Sequence, residues 1–183
     1  MIRLKSLPEN AMVYDVFQSR PETFDPFTQA CEQIMRADSA LPADTRELLG
    51  SFVSKLNACP YCHDVHNEAV KAHGLDGTLT TALVEDIDAA PIDARLKPLF
   101  KLAEKMTRHA YKVTQADFDQ CTEAGLSDDE IQDGIYVTCL FNFMNRLVST
   151  LGIESNEDYL ALAGTRIRDT GYAGTLAELQ DAS

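Results

Sequence analysis

Apolar residues recur every three or four positions along most of the chain, which is the spacing of one face of an α-helix. The stretch that follows Pro42 is an example, with a single stripe made by Leu48, Leu49, Phe52, Val53 and Leu56. No run of alternating β-branched residues with hairpin turn residues interrupts the helical pattern. The sequence therefore predicts an all-α fold.

Proline and capping residues indicate where the predicted helices begin. Ser127 and Glu130 form a capping box at the start of the longest helix, Pro60 stands at a first-turn position, and Pro98 is expected to bend its segment. The longest helix is apolar nearly all round, so we expect it to be the central one. The predicted helices span about residues 22–37, 43–57, 60–73, 78–87, 93–110, 114–125, 128–151 and 157–167, followed by a C-terminal tail over 168–183.

Composition narrows the class of protein. A chain of 183 residues is long enough for one sizeable core, and a single domain over 1–183 is expected. The net charge of −13 argues against nucleic-acid or anionic-membrane partners. Asn142, Asn145 and Arg146 interrupt the longest apolar stretch, which indicates a buried helix rather than a membrane span. Without a recognisable secretory signal, the five cysteines indicate a reducing compartment, and a cytoplasmic location is expected.

The segment "NACPYCHDVH" concentrates the candidate chemistry of the chain. Cys59 and Cys62 could form a redox dithiol, Cys59 to His63 spells the pattern of covalent haem attachment, and a metal could bind Cys59, Cys62 and His66. Haem attachment requires export to an oxidising compartment, which the sequence does not indicate. A structural zinc site normally joins two separate segments with four ligands, and no second Cys/His pair is present. Redox chemistry is the interpretation that fits best.

A helix that starts at Pro60 gives these cysteines a physical reason to react. Cys59 is then the N-cap and Cys62 the third residue of the first turn, where unpaired N–H groups and the helix dipole favour a thiolate. His66 lies one turn after Cys62 on the same face and could take its proton. The alternative is that Cys59 and Cys62 are two small buried residues without chemistry.

The remaining cysteines and histidines are interpreted as structural. The isolated cysteines, expected to sit inertly in cores, are Cys31, Cys121 and Cys139. His63 points away from Cys62, His73 is expected to cap the end of its helix, and His109 is expected at the surface.

The tetrapeptide C-P-Y-C alone resembles glutaredoxin, but that fold needs strands that this sequence does not predict. A longer pattern, E-x11-C-x-x-C-x3-H over residues 47–66, resembles the AhpD-like alkylhydroperoxidases of the carboxymuconolactone decarboxylase superfamily. The later segment "FNFMNRLVSTLGI" resembles the peroxidase-related branch of that family. The resemblance covers about residues 15–165 and implies an AhpD-like helical bundle.

The resemblance implies an activity and a set of roles. Cys62 would attack a hydroperoxide, Cys59 would resolve the product as a disulfide, and Glu47 and His66 would form a proton relay. No metal, flavin or other cofactor is implied. The implied partners are a hydroperoxide and an external dithiol or thiol-protein reductant, and the implied assembly is a trimer or hexamer. The AhpD relay has a histidine between the cysteines, where this chain has Tyr61, so its relay would be shorter.

The residues alone say less about Glu47 than the resemblance does. Its position is almost opposite the apolar stripe of its helix, where an exposed acid is usual. The same face carries small residues, which would let another helix approach closely: Ala43, Gly50, Ser51 and Ser54. Other activities of the cysteine pair stay open at this point: a non-catalytic redox sensor, a disulfide reductase acting on proteins, and a zinc-binding helical module.

Overall fold

The protein folds into packed α-helices, and the prediction of an all-α fold is confirmed. The computed structural model describes the backbone of residues 1–181 and the side chains of residues 1–174. No strand occurs within residues 1–181. The helices are α1 Val13–Gln18, α2 Pro21–Arg36, α3 Ala43–Leu56, α4 Pro60–Ala72, α5 Leu79–Glu85, α6 Lys97–His109, α7 Gln115–Glu123, α8 Asp128–Leu151 and α9 Glu157–Asp181.

The helix starts follow the capping residues in the sequence. At α8 the Ser127 hydroxyl accepts from the Glu130 N–H at 3.2 Å and the Glu130 carboxylate accepts from the Ser127 N–H at 2.8 Å, so the predicted capping box is confirmed. Pro60 is the first residue of α4, as predicted. Pro98 does not bend a helix, because it is the second residue of α6 and its missing N–H would be unpaired there in any case.

Both ends of the chain hold helices that the sequence patterns did not predict. The short helix α1 precedes the first predicted segment. The prediction of a tail from residue 168 is wrong for the described residues, because α9 continues to Asp181. It does so across a break at Gly171, whose φ of 73° lies in the left-handed region that favours glycine.

The most enclosed helix is α3, not the long helix α8. Every residue from 45 to 54 is buried, because α2, α4, α5, α6 and α8 surround α3. In contrast, α8 leaves one side exposed, with Tyr136 at 47% and Phe143 at 49% exposure. The expectation that α8 is central is therefore wrong. The reason is that small residues such as Gly50 can be buried without adding apolar character. The sequence of α3 therefore has an amphipathic pattern, although all sides of this helix are covered.

A short connection over residues 57–59 joins α3 to α4 and makes them neighbours. Ala58 in this turn has a φ of 50°, so the chain reverses within a tight loop. The close packing of α3 against α4 is the most extensive helix–helix contact in the described fold. It brings the middle of α3, with Glu47, opposite the first half of α4, with the cysteine pair.

Helix α9 packs against α4 at a point where only glycine fits. A Cβ placed on Gly164 would lie 2.3 Å from the backbone oxygen of Glu68, and a backbone atom cannot turn aside as a side chain can. No helix in the described chain is long and apolar enough to cross a membrane.

We expect Gly164→Ala to lower the free energy of unfolding by about 1–3 kcal/mol, because α9 must move away from α4. Thr165→Ala is the matched control, since Thr165 is an exposed neighbour in the same helix, and it should stay within about 0.5 kcal/mol of the wild type. Urea unfolding followed by circular dichroism measures both. Equal midpoints for the two variants would contradict the close approach.

Candidate active site

The cysteine pair sits where the sequence analysis predicted, at the start of α4. Cys59 is the N-cap with extended φ and ψ of −100° and 94°, Pro60 is the first helical residue, and Cys62 falls in the first turn. Both side chains are buried, with exposures of 1% and 4%, and both are free thiols.

The two thiols titrate as a pair, in which the first proton is lost more easily than from an ordinary cysteine. Hydrogen bonding to Cys62 and, less strongly, to Ser149 lowers the pKa of Cys59 to about 6, against the opposing effect of burial. The hydrogen bond to Cys59 and burial raise the pKa of Cys62, while a hydrogen bond with Asn145 acts in the opposite direction. These opposite directions favour the thiolate at Cys59 within the pair, whereas the sequence analysis expected it at Cys62.

Removing the Cys62 thiol should reverse this shift. In Cys62→Ala the Cys59 thiolate loses its main hydrogen bond, so the pKa of Cys59 should rise toward the ordinary cysteine value of about 8.5 or above. The thiolate fraction at neutral pH should then fall. Ultraviolet thiolate absorbance against pH measures this, in a Cys139→Ser background that removes the exposed cysteine. A Cys59 that still titrates near 6 in this variant would exclude the proposed cause.

Glu47 and His66 meet between α3 and α4. The Nδ1 atom of His66 lies 2.8 Å from Oε2 of Glu47, whose side chain is 1% exposed. The exposed position that helical periodicity favours for Glu47 is therefore wrong. The expectation that another helix packs closely against the Glu47 face is confirmed. Because the carboxylate orients Nδ1 as the donor, Nε2 is the ring nitrogen that can accept a proton.

Tyr172 completes this arrangement, although no pattern in the sequence pointed to it. Its hydroxyl donates to Oε1 of Glu47 at 2.8 Å. Burial and the negative charge of Glu47 raise the pKa of Tyr172 well above its usual value, so it stays a donor. The Glu47 carboxylate thus has a donor at each oxygen, which offsets the cost of burying its charge.

The break in α9 is what directs Tyr172 into the site. Beyond Gly171 the helix restarts, and the carboxylate of Glu32 on α2 accepts the backbone N–H of Tyr172 at 2.8 Å and of Ala173 at 3.3 Å. An acceptor at a helix N-terminus satisfies N–H groups that have no partner within the helix. A Cβ on Gly171 would lie 2.6 Å from this carboxylate, which is a second reason for glycine there.

A second polar group behind the cysteines comes from α8. Asn145 is 1% exposed, and its amide donates to the Ser54 hydroxyl at 3.0 Å while its oxygen accepts from Asn57 at 2.9 Å. These bonds fix the side chain that also hydrogen-bonds Cys62. The sequence did offer a signal here, because an asparagine inside an apolar helix is rarely buried without a specific partner.

Tyr61, which replaces the histidine of the AhpD relay, is part of the packing. It is buried and stacks on Tyr159 with ring centroids 6.0 Å apart and planes 17° apart. Burial raises the pKa of Tyr61 well above its usual value, so its hydroxyl remains protonated near neutral pH. A group that stays protonated does not exchange protons as an imidazole does. This favours a relay that passes through Glu47 and His66 without position 61.

Cys62 and His66 face a common cavity, and Cys59 does not line it. The cavity has a volume of about 110 Å³ and lies between α1, α2, α4, α8 and α9. Its walls are mostly apolar, with Val13, Phe17, Leu140, Met144 and Ile167 among them. The ring of His66 also contacts Phe141, edge to face, at a centroid distance of 4.5 Å. An apolar substrate that enters this cavity meets Cys62 and an imidazole together.

The other cysteines and histidines mostly lie where they were expected. Cys121 is buried, and so is Cys31, whose pKa burial raises to about 12 even though it lines the cavity. The prediction that Cys139 lies inertly in a core is wrong, since it is on the exposed side of α8. His73 is the C-cap residue of α4 and His109 is exposed, as predicted.

His63 belongs to a separate polar contact. Its Nδ1 atom lies 3.1 Å from the Ser51 hydroxyl, and burial lowers its pKa. Within the described part of the chain, no group of three or more histidine, cysteine or acidic side chains is arranged to hold a metal ion.

Comparisons with known proteins identify the class to which this fold and site belong. The sequence profile of the carboxymuconolactone decarboxylase family matches residues 21–83. A peroxidase-related protein from Silicibacter sp. TM1040 is 32% identical, with a TM-score of 0.74 over 81% of this chain and 78% of that one. The chain therefore belongs to the AhpD-like, carboxymuconolactone decarboxylase superfamily, as its E-x11-C-x-x-C-x3-H pattern predicted.

More distant structures share the fold. A peroxidase-related protein with an AhpD core from Ralstonia eutropha JMP134 is 23% identical, with a TM-score of 0.73 over 81% of this chain and 78% of that one. A protein of unknown function from Agrobacterium tumefaciens is 19% identical, with a TM-score of 0.68 over 85% of this chain and 99% of that one. None of the curated proteins matches the sequence.

Proposed function

We propose that this protein is a thiol-dependent peroxidase that reduces organic hydroperoxides through Cys62 and Cys59. The observation that carries the proposal is the shared cavity of Cys62 and His66, with Glu47 hydrogen-bonded behind the imidazole. A nucleophile, a base and a residue that orients the base are the parts that covalent catalysis needs. Cys59, three residues away and with a lowered pKa, supplies the second sulfur.

The first step oxidises Cys62. As its sulfur attacks the distal oxygen of the hydroperoxide, the thiol proton passes to Nε2 of His66 and the O–O bond breaks. The leaving alkoxide takes that proton from the imidazolium and departs as an alcohol, so Cys62 becomes a sulfenic acid. Glu47 stabilises the transient imidazolium through its bond to Nδ1.

The second step forms the disulfide. The Cys59 thiolate attacks the Cys62 sulfenic sulfur, an S–S bond forms, and hydroxide leaves and is protonated to water. The low pKa of Cys59 suits this role, because the resolving sulfur is already a nucleophile when the sulfenic acid appears. An external dithiol then reduces the pair, and two electrons have passed from that dithiol to the peroxide.

The apolar cavity supports an organic hydroperoxide as the substrate. An alkyl or aryl group of a hydroperoxide can pack against the apolar residues of the cavity and leave water. Hydrogen peroxide has no such group and would gain nothing from those contacts. The ratio of kcat/KM for cumene hydroperoxide over hydrogen peroxide should therefore exceed one.

The direct test is a steady-state assay of peroxide consumption with dithiothreitol as the reductant. Many turnovers per protein, with loss and recovery of two alkylatable thiols at Cys59 and Cys62, would support the peroxidase. A single oxidation without turnover would instead favour the redox sensor. No consumption of any peroxide by the reduced protein would refute both.

Self-association and a cytoplasmic location stay predictions. The described surface that supports a trimer or hexamer is the exposed side of α8, where Tyr136 and Phe143 present aromatic rings to solvent. Sedimentation velocity measures the oligomeric state directly.

A further inference from the structure

The cysteine pair has a second cavity on its other side, and the two cavities have almost no wall in common. This second cavity has a volume of about 400 Å³ and lies where the loop after α8 passes the start of α4. Cys59 lines it and Cys62 does not, whereas Cys62 lines the apolar cavity and Cys59 does not. Among the residues whose side chains the structure describes, Tyr61 is the one common to both walls.

The chemistry of the second cavity differs from that of the first. Its walls carry several polar and charged side chains, namely Arg3, Ser149, Glu154 and Ser155. Glu154 is exposed, so the cavity meets solvent there. Cys59 in its wall is only 1% exposed. A small or narrow reagent fits this access better than the flat surface of a folded protein.

We infer that the polar cavity beside Cys59 is the entrance for a low-molecular-weight polar dithiol, which reduces the Cys59–Cys62 disulfide from the side opposite the peroxide. This inference rests on the proposed function for the identity of the oxidant. Thiol–disulfide exchange requires the attacking sulfur to reach one of the two sulfurs of the disulfide. Cys59 lines this cavity and Cys62 does not, so a thiolate that enters here meets Cys59.

Two balanced steps restore the pair. The thiolate of the reductant attacks the Cys59 sulfur, a mixed disulfide forms, and the Cys62 thiolate leaves and is protonated by the proton that the reductant thiol gave up. The second thiol of the reductant loses its proton to solvent and attacks the reductant sulfur of the mixed disulfide, which closes a ring. Cys59 departs as a thiolate, and the reductant is oxidised by two electrons.

The surroundings of Cys59 favour that last departure. A thiol with a lower pKa leaves faster, and the pKa of Cys59 is lowered to about 6 by hydrogen bonding to Cys62 and Ser149. Ser149 belongs to the wall of the polar cavity, so the group that stabilises the leaving sulfur lies on the side where the reductant would bind.

The test separates the two entrances with one variant in each wall. Ser155→Phe places a bulky ring in the polar cavity and lies in the loop between α8 and α9, while Val13→Phe places the same ring in the apolar cavity. Ser155→Leu is a smaller second variant in case the phenylalanine disturbs folding. Diamide forms the disulfide in each protein without peroxide, and the recovery of thiols with dithiothreitol is followed by alkylation and mass spectrometry.

We expect Ser155→Phe to slow reduction by dithiothreitol about tenfold, Ser155→Leu less, and Val13→Phe by less than about twofold. Reduction that is slowed by Val13→Phe and not by the Ser155 variants would overturn the inference, as would faster reduction of the wild type by thioredoxin than by an equal concentration of dithiothreitol. Oxidation of the reduced proteins by cumene hydroperoxide is measured separately. If cumene hydroperoxide did not oxidise the wild type, the proposed function would be refuted. The test of the reductant entrance would still hold, because diamide forms the disulfide without peroxide.

Discussion

Cys62→Ser is expected to lower the turnover of cumene hydroperoxide by a factor on the order of 10³ or more, because a serine hydroxyl is a far weaker nucleophile than a thiol. Cys62 and Cys31 both line the apolar cavity, but Cys31 is isolated in the sequence, whereas Cys62 has Cys59 three residues away as a partner for a disulfide. Peroxide consumption in the presence of dithiothreitol measures the loss.

Two further cysteine variants make this result specific. In the absence of a reductant, reduced Cys59→Ser should still consume about one peroxide per protein and stop, because Cys62 forms a sulfenic acid that no neighbouring cysteine resolves. Trapping with dimedone and mass spectrometry would locate that sulfenic acid. Cys139→Ser is the control, since this exposed thiol lies on α8 outside both cavities, and it should retain full turnover. If a sulfenic acid instead formed on Cys59 in Cys62→Ser, with about one peroxide consumed per protein, the roles of the two cysteines would have to be exchanged.

Glu47→Gln should lower kcat/KM by about 10²-fold, with a stability close to that of the wild type. Glutamine keeps the volume and can still accept from Tyr172, but it removes the negative charge that stabilises the protonated His66. Tyr172→Phe removes one donor and keeps the carboxylate, so we expect a smaller loss of about threefold to tenfold. Steady-state rates and thermal unfolding of both variants separate catalysis from folding.

The shape of the pH profile distinguishes a relay from a structural role. If Glu47 acts through the imidazole, Glu47→Gln should move the pH dependence of kcat/KM for the peroxide, whereas loss of packing would lower the rate equally at all pH values. Glu85→Gln, an exposed position on α5, is the matched control and should behave as the wild type. Unchanged activity in Glu47→Gln would remove the relay from the mechanism.

The parts of the site that lie close in sequence were predictable, because local physics places them. Proline at a helix start and the i to i+4 spacing are enough to put Cys59, Cys62 and His66 on one helical turn and the next. The family pattern added Glu47, which helical periodicity alone would have placed in solvent. Periodicity failed there because Gly50 and Ser51 add no apolar character to that face, although their small size did indicate that another helix could approach closely.

Tyr172 could not be predicted, because its contact depends on tertiary packing alone. It is separated from Glu47 by 125 positions and reaches it only because α9 continues past the predicted tail and breaks at Gly171. The acceptor that receives the restarted helix, Glu32, comes from α2. A glycine followed by a tyrosine has no periodic signal, and both residues fit a loop as well as a broken helix.

Because α3 has no side turned toward solvent, the charge of Glu47 acts on His66 through protein rather than through water. Dissolved ions screen charges that they can surround, and they cannot surround a carboxylate that is 1% exposed. The proposed proton relay should consequently work equally well in dilute and in concentrated salt, even though the molecule as a whole carries a net charge of −13.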